Sequence, residues 1–347
     1  MEERLDRLVN LDIGGRGSEQ LYAAAREIVG KPLALAAARQ LAVVRPGEVV
    51  LITTGFPALS WVSPRIGEND GPAGAAVVAR ALQRGFGAIP VVVVEDALRP
   101  GIAAVLQAGG FVLGSLQEAR RAVEREPRGA VAVVLPYPED EAEASASADP
   151  LMDRLRPRAA VAVERPGRNR AGAYHDMRGQ CLATAPAPVD LLFERAMERG
   201  IPVVAVGDGG NEIGMGLVLD AVREHVPYGR VCRCGCGGGI GARTKADVLV
   251  TAAVSNWGCY AVAACLAMLK GDTRLLHTPE MERRLLEAGV SAGLINGVSV
   301  EVDPGVDGIP WEANVAMVQL MYTMAVKAIE SQVQPPRRAL ATGTTTP

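Results

Sequence analysis

The sequence predicts a doubly wound α/β fold, with a mostly parallel sheet covered by helices on both faces. Three observations predict it. Short β-branched runs alternate with amphipathic stretches along most of the chain, the pattern of parallel crossover units. Two of those runs, VVVV at 91–94 and VAVV at 131–134, are apolar throughout, as strands buried on both faces are. No linker or composition break divides the series, so one main domain is expected over 48–330.

Taken in order, residues 1–47 have helical patterning. Ser18 is placed to cap a helix over 19–29, and Pro32 to start another. This segment is expected to pack on the sheet as an extension of the core. Strands are expected at 48–54, 89–95, 130–135, 159–164, 202–207 and 247–255. Helices are expected at 72–84, 101–107, 115–126, 189–199, 212–223 and 257–269, each between or after strands. The acidic, Ala/Ser-rich stretch 138–150 reads as an exposed loop. A helix over 310–329 closes the fold, and 331–347 lacks an apolar pattern and is expected to be a disordered tail. Strand–helix alternation of this kind makes the architecture Rossmann-like.

Composition narrows the function. With 36 basic and 39 acidic residues among 347, the net charge is -3, which gives no electrostatic reason for a nucleic-acid or anionic-membrane partner. Aromatic content of 4% also argues against base-stacking platforms. No run of about 18 apolar residues is present to span a bilayer, and Met1–Asn10 has no apolar signal region. Six cysteines are too sparse for a disulfide scaffold, so they read as reduced thiols of a cytoplasmic protein. A small-molecule substrate is the expected partner, with homo-oligomerisation left open.

In open parallel sheets, ligands bind beyond the carboxyl ends of the strands. Four segments there carry unusual residues. The first is Thr54-Gly55-Phe56-Pro57, followed by Glu68-Asn69-Asp70-Gly71-Pro72-Ala73-Gly74. Asp70 could cap the helix that Pro72 begins, leaving N–H groups aimed at an anion; a plain capped helix is the blander reading. The second is Glu164-Arg165-Pro166-Gly167 with Arg178 downstream. Two arginines there could hold a carboxylate, although surface ion pairs would look the same. The third, Gly207-Asp208-Gly209-Gly210-Asn211-Glu212-Ile213-Gly214, sets two carboxylates in a glycine loop that lets a small molecule come close. The fourth is Ser255-Asn256-Trp257-Gly258, where Ser255 or Asn256 could cap a helix and Trp257 could wall a pocket.

Other signals are weaker. The loop at Gly207 lacks a Gly-Lys-Ser/Thr ending, and the last glycine of a dinucleotide pattern falls on Glu212. Gly237–Ala242 fits that pattern nominally but does not follow a clear strand. Cys232, Cys234 and Cys236 alternate where structural zinc sites usually show pairs two to four apart. Cys181, Cys259 and His225 are the residues that could join them. The three histidines form no metal-ligand pair and serve no nucleophile elbow.

Together the segments TGFP, ENDGPAG, ERPG with MRG, GDGGNEIGMG, VSNWG and VDGIP (306–310) resemble the D-glutamate cyclase family, specifically its C-terminal module. They run in the family's order from about 53 to 310. Cys259 after SNWG and the Cys/Gly-rich 232–241 depart from the pattern. The module that precedes this one in longer members has no counterpart in these 347 residues. The resemblance implies a hydro-lyase that closes D-glutamate to 5-oxo-D-proline and water. Such a reaction needs a base, an acid and carboxylate clamps, and no organic cofactor. On that footing Asp208 is the expected base and Glu212 its partner acid, with Glu164 and Asp70 as further catalytic candidates. Arg165 and Arg178 are the expected clamps. N–H groups at Gly71, Gly74, Gly209, Gly210 and Asn211 are expected oxyanion donors, with Ser255, Asn256 and Trp257 completing the pocket. Glu68, Asp70 and Asp208 could instead share Mg²⁺ or Mn²⁺. A nucleotide-dependent enzyme and a non-catalytic acidic amino-acid binder are the rival readings.

Overall fold

A single seven-stranded parallel sheet organises the computed structural model, which describes residues 1–333. Its strands are β1 (Val49–Thr54), β2 (Ile89–Val94), β3 (Val112–Leu113), β4 (Val131–Pro136), β5 (Ala159–Val163), β6 (Val203–Gly207) and β7 (Val248–Thr251), in the order β3-β4-β2-β1-β5-β6-β7. Strands β1, β2, β5, β6 and β7 are buried along their whole length, which is why they are runs of Val, Ile and Ala without alternation.

From β1 the chain first builds outward to β2 and then returns to the other side of β1 with β5. Helix α4 (Pro72–Phe86) makes the β1–β2 crossover and α8 (Asp190–Glu198) the β5–β6 crossover. Right-handed crossovers running in opposite directions place these helices on opposite faces. The strand order therefore reverses between β1 and β5, which are paired in register from Val50↔Ala159 to Thr54↔Val163. Helix α10 (Ser255–Lys270) lies against α4 and is buried from Ser255 to Met268, as its nearly all-apolar sequence requires.

The N-terminal helices α1 (Glu2–Val9), α2 (Ser18–Val29) and α3 (Leu33–Leu41) dock on this core; α3 contacts α10 and β7. Two bonds fix the exit of α1 beyond the end of β7. Asn10 Nδ2 donates to the Thr251 carbonyl at 3.1 Å, and the Ala253 N–H donates to the Val9 carbonyl at 2.8 Å.

Several expected elements differ. The stretch 138–150 is largely helical, inside α7 (Glu141–Leu155). Asp140 caps it by accepting the Glu143 N–H at 2.9 Å, and alanine's helix propensity outweighs Pro150. Residues 212–218 are not helical, because Gly210 and Gly214 take φ near +104° and +103°; the helix α9 begins at Leu219 (Leu219–His225). β7 stops at Thr251, since Ser255 already belongs to α10. Gly17, with φ 85°, is the N-cap of α2, and Ser18 is its first residue. The edge strand β3 and helix α11 (Pro279–Ser291) are additional to those expected, as are a turn of 3₁₀ helix (Thr273–Leu275) and the extension of α12 (Trp311–Val333) through 331–333. The rest of the expected tail, 334–347, lies outside the described residues.

Candidate active site

At the β1/β5 reversal, the C-terminal ends of β1, β5 and β6 open into a cavity of about 290 Å³. Phe56 and Pro57 line it after β1, Glu164 after β5, and Asp208 and Asn211 after β6. Glu68 lines it from the loop before α4. Met177 and Arg178 come from the loop after β5, and Arg16 and Asp307 from the two ends of the chain.

The cavity floor is crowded with carboxylates. Oxygens of Asp70, Asp208 and Asp307 all lie within 4.8 Å of one another, as do those of Glu164, Asp208 and Glu212. Arg16 supplies the counter-charge: its Nη2 donates to Asp208, to Asp307 at 2.7 Å and to the Ala253 carbonyl at 2.8 Å. Burial pushes the Glu164 carboxyl well above the usual range, and Asp208, Glu212, Asp70 and Glu68 push it further. Burial also raises Asp208; Arg16 pulls it back, while Asp307, Asp70 and Glu212 push it up. Glu68 and Asp70 are raised by burial first and by Asp307 next. Burial and mutual repulsion therefore bias this cluster toward its protonated forms, so its members can exchange protons with one another.

Glu164 is additionally strained. Its φ of 41° is a left-handed conformation that non-glycine residues seldom adopt. Ser255 Oγ donates to its Oε2 at 2.6 Å and fixes the carboxyl. Below it, Gly71 has φ 98°, and a Cβ there would stand 2.7 Å from Thr54 Oγ1 and 2.8 Å from Glu164 Cβ. Glycine is required at that position for both reasons.

The two helix N-termini exchange caps. Asp70 accepts the Ser255 and Asn256 N–H groups of α10 at 2.9 and 2.8 Å, while Asn256 Oδ1 accepts the Gly71 and Gly74 N–H groups of α4 at 3.1 and 2.6 Å. Asp70 therefore caps α10 rather than α4. The Gly74 N–H is committed to Asn256, and the Gly71 N–H is shared between Asn256 and Asp70 Oδ1 at 3.0 Å, so neither is a free oxyanion donor. Glu212 is committed in a similar way: fully buried, it folds back to accept the Gly209 and Gly210 N–H groups, both at 2.7 Å. It braces the loop beneath Asp208, and those two N–H groups are likewise occupied.

Arg165 also sits elsewhere than expected. It is completely buried, paired with Glu95 at 2.6 Å and donating to the carbonyls of Gly55 and Ala187. It ties the loops after β1 and β5 together instead of facing the cavity. Trp257 is fully buried and donates from Nε1 to Asn314 Oδ1 at 2.8 Å, so it is core rather than wall. Arg178 does reach the cavity, with its guanidinium 6.0 Å from the Trp61 ring. Asn211 lines the cavity too; its Nδ2 donates to the His175 carbonyl, and its buried Oδ1 has no partner among the described residues.

Arg16 and Asp307 are the residues that sequence reasoning missed. Asp307 lies inside the VDGIP segment, where its φ of 53° marks a special turn, but Arg16 in a Gly-rich connection carries no comparable signal. Among the described residues no helix is long and apolar enough to cross a membrane.

Comparison with known proteins agrees with the geometry. A family described as "D-glutamate cyclase-like, C-terminal" matches residues 5–322. The human protein named "D-glutamate cyclase, mitochondrial" is 31% identical over 94% of this chain and 52% of its own length, so the chain spans about half of that relative. With a match over nearly the whole described chain, and with its motifs gathered around one cavity, the chain belongs to the D-glutamate cyclase-like C-terminal family.

Proposed function

We propose that this chain closes D-glutamate to 5-oxo-D-proline with release of water. The observation that carries the reading is the set of buried carboxylates gathered at one small cavity. At about 290 Å³ it is at the lower limit of ordinary ligand pockets, of a size for a small amino acid. The substrate class comes from the family, whose human member is named a D-glutamate cyclase.

The reaction forms a bond between the α-nitrogen and C5 and breaks one C5–O bond. The ammonium loses two protons, and the departing γ-oxygen needs two protons to leave as water. The balance closes without an external acid, base or nucleotide, provided the site carries protons from nitrogen to oxygen. Asp208, raised by burial and drawn part of the way back by the Arg16 guanidinium, is the group to accept a proton from the ammonium. Glu164, raised by burial and by its acidic neighbours, is the group to deliver one to the γ-carboxyl. Glu164 rather than the expected Glu212 takes the acid role, because Glu212 is occupied by backbone N–H groups. Asn211 Oδ1 is free to accept from the ammonium, and Arg178 is the available partner for a carboxylate.

The oxygen donors of Asp70, Asp208 and Asp307 suit a hard cation such as Mg²⁺ or Mn²⁺, which would polarise the γ-carboxyl when bound. The compact donor set includes Asp307 where the sequence suggested Glu68. Six free cysteines suit the reducing conditions of the cytoplasm, the compartment this reading assigns.

The test is to incubate dialysed protein with D-glutamate, with and without Mg²⁺ or Mn²⁺, and to quantify 5-oxoproline. Product in any of these arms without nucleotide supports the reading. Thermal stabilisation by D-glutamate without product would replace it with a binding role, and neither effect would remove D-glutamate as the ligand.

A further inference from the structure

A second constellation lies behind the cavity wall. Cys232, Cys234 and Cys236 stand in a loop without helix or strand, between α9 and β7. In a strand, residues two apart share a face but sit about 6.5–7 Å from each other. Here Gly235 takes φ 81° and curls the chain, so the three sulfurs converge. Cys232 Sγ is 3.2 Å from Cys236 Sγ and 3.5 Å from Cys234 Sγ. His175, fully buried on the opposite loop, points Nε2 into the same spot, 3.2 Å from Cys234 Sγ and 3.6 Å from Cys236 Sγ. All four ligand atoms lie within 4.8 Å of one another.

We propose that His175, Cys232, Cys234 and Cys236 form a structural zinc site. A tetrahedral zinc with Zn–S near 2.3 Å and Zn–N near 2.0–2.1 Å holds its ligand atoms about 3.5–3.8 Å apart, close to the separations present. A single ion fits that spacing, whereas an iron–sulfur cluster needs its thiolates farther apart. The sulfurs are also too distant for a disulfide bond of about 2.05 Å. Alternation of the cysteines argues against a metal only if the loop is extended. Neither Cys259 nor His225 joins the group. The fourth ligand is His175, brought in by a small hairpin in which it pairs with Cys181. Cys181 Sγ is 3.7 Å from His175 Nε2 but stands outside the compact set.

The site has a structural task. The hairpin that carries His175 continues into Met177 and Arg178 of the cavity wall. Hydrogen bonds already join this segment to the cysteine loop: the Arg233 N–H donates to the Gly179 carbonyl, Asn169 Nδ2 to the Gly239 carbonyl and Arg170 Nη2 to the Gly237 carbonyl. A metal shared by both loops would tie the cavity wall to the cysteine loop.

The experiment uses untagged full-length protein, made in zinc-supplemented medium and purified under reducing conditions. Elemental analysis should find about one zinc per chain, as a single tetrahedral site holds. Cys236→Ser should lose it, while Cys181→Ser and Asp208→Asn should keep it. Cobalt(II) added to the metal-free wild type should give a thiolate-to-cobalt charge-transfer band, which a carboxylate site cannot produce. Reduced wild type that holds no zinc and gives no such band would overturn the proposal. Zinc retained in Cys236→Ser but lost from Cys181→Ser would overturn the ligand set. None of these readouts depends on catalytic activity, so they stand whatever the substrate proves to be.

Discussion

At the end of β5, Glu164 combines a left-handed backbone, a buried carboxyl and several acidic neighbours. Its raised pKa has a definite sign in stability. The stability tied to this group is fully present below the ordinary carboxylate pKa and is lost as pH rises through the higher folded value. The melting temperature should therefore fall from mildly acidic toward alkaline pH. Glu164→Gln should flatten that slope and melt above wild type at alkaline pH, while losing turnover; parallel melting curves would contradict the charge cluster. Asp208→Asn keeps volume and turn geometry, so kcat should fall by about 100-fold or more with little change in melting temperature. Normal kcat in a stable Asp208→Asn protein would move the base elsewhere. Carboxylates after strands were legible in the sequence because each sits in a local motif. The commitment of Glu212 to Gly209 and Gly210 was not, because motif spacing does not say which way a side chain folds.

Helix ends decide how the site is held. α4 and α10 meet N-terminus to N-terminus, each capped by a residue from the other segment. Gly74 is a point of close approach: a Cβ there would stand 2.9 Å from Asn256 Oδ1 and from Cys259 Cβ. Gly74→Ala should cost about 1–3 kcal/mol, the scale of overpacking, and should lower the urea midpoint. An unchanged midpoint would mean the helices can separate freely. The sequence marked both Asp70 and Asn256 as cap residues, yet each caps the other's helix. Capping propensity is local, but partner choice is set by packing 186 residues apart in the chain. Likewise the Ala-rich 138–150 read as loop because its Ser and Pro residues suggest turns. In the fold, Ala144, Ala148, Leu151 and Met152 gain burial along one helical face.

Across the whole molecule, the strand series was readable, since buried parallel strands are written as nearly uninterrupted apolar runs; the reversal between β1 and β5 was not, because strand order is set by pairing and not by local pattern. The two-residue edge strand β3 is too short to carry such a pattern. Arg16 was illegible for a different reason: it reaches the cavity only because α1 is pinned beyond β7, which no spacing rule encodes. Arg16→Ala should leave Asp208 and Asp307 facing each other without a counter-charge. Its side chain is a quarter exposed, so the expected destabilisation is about 1–3 kcal/mol, below that of a fully buried pair. Turnover should drop along with it, checked by urea titration and kinetics on the same sample. Full activity would show that the N-terminal segment only covers the site.

Enantiomer-resolved chromatography of racemic glutamate tests whether this cavity carries D-glutamate through cyclisation. Incubated with dialysed protein and no nucleotide, the D-isomer should disappear with an equal gain of 5-oxo-D-proline, while the L-isomer persists. Loss of both isomers at the same rate, or of neither under any metal condition, would rule out a D-glutamate cyclase.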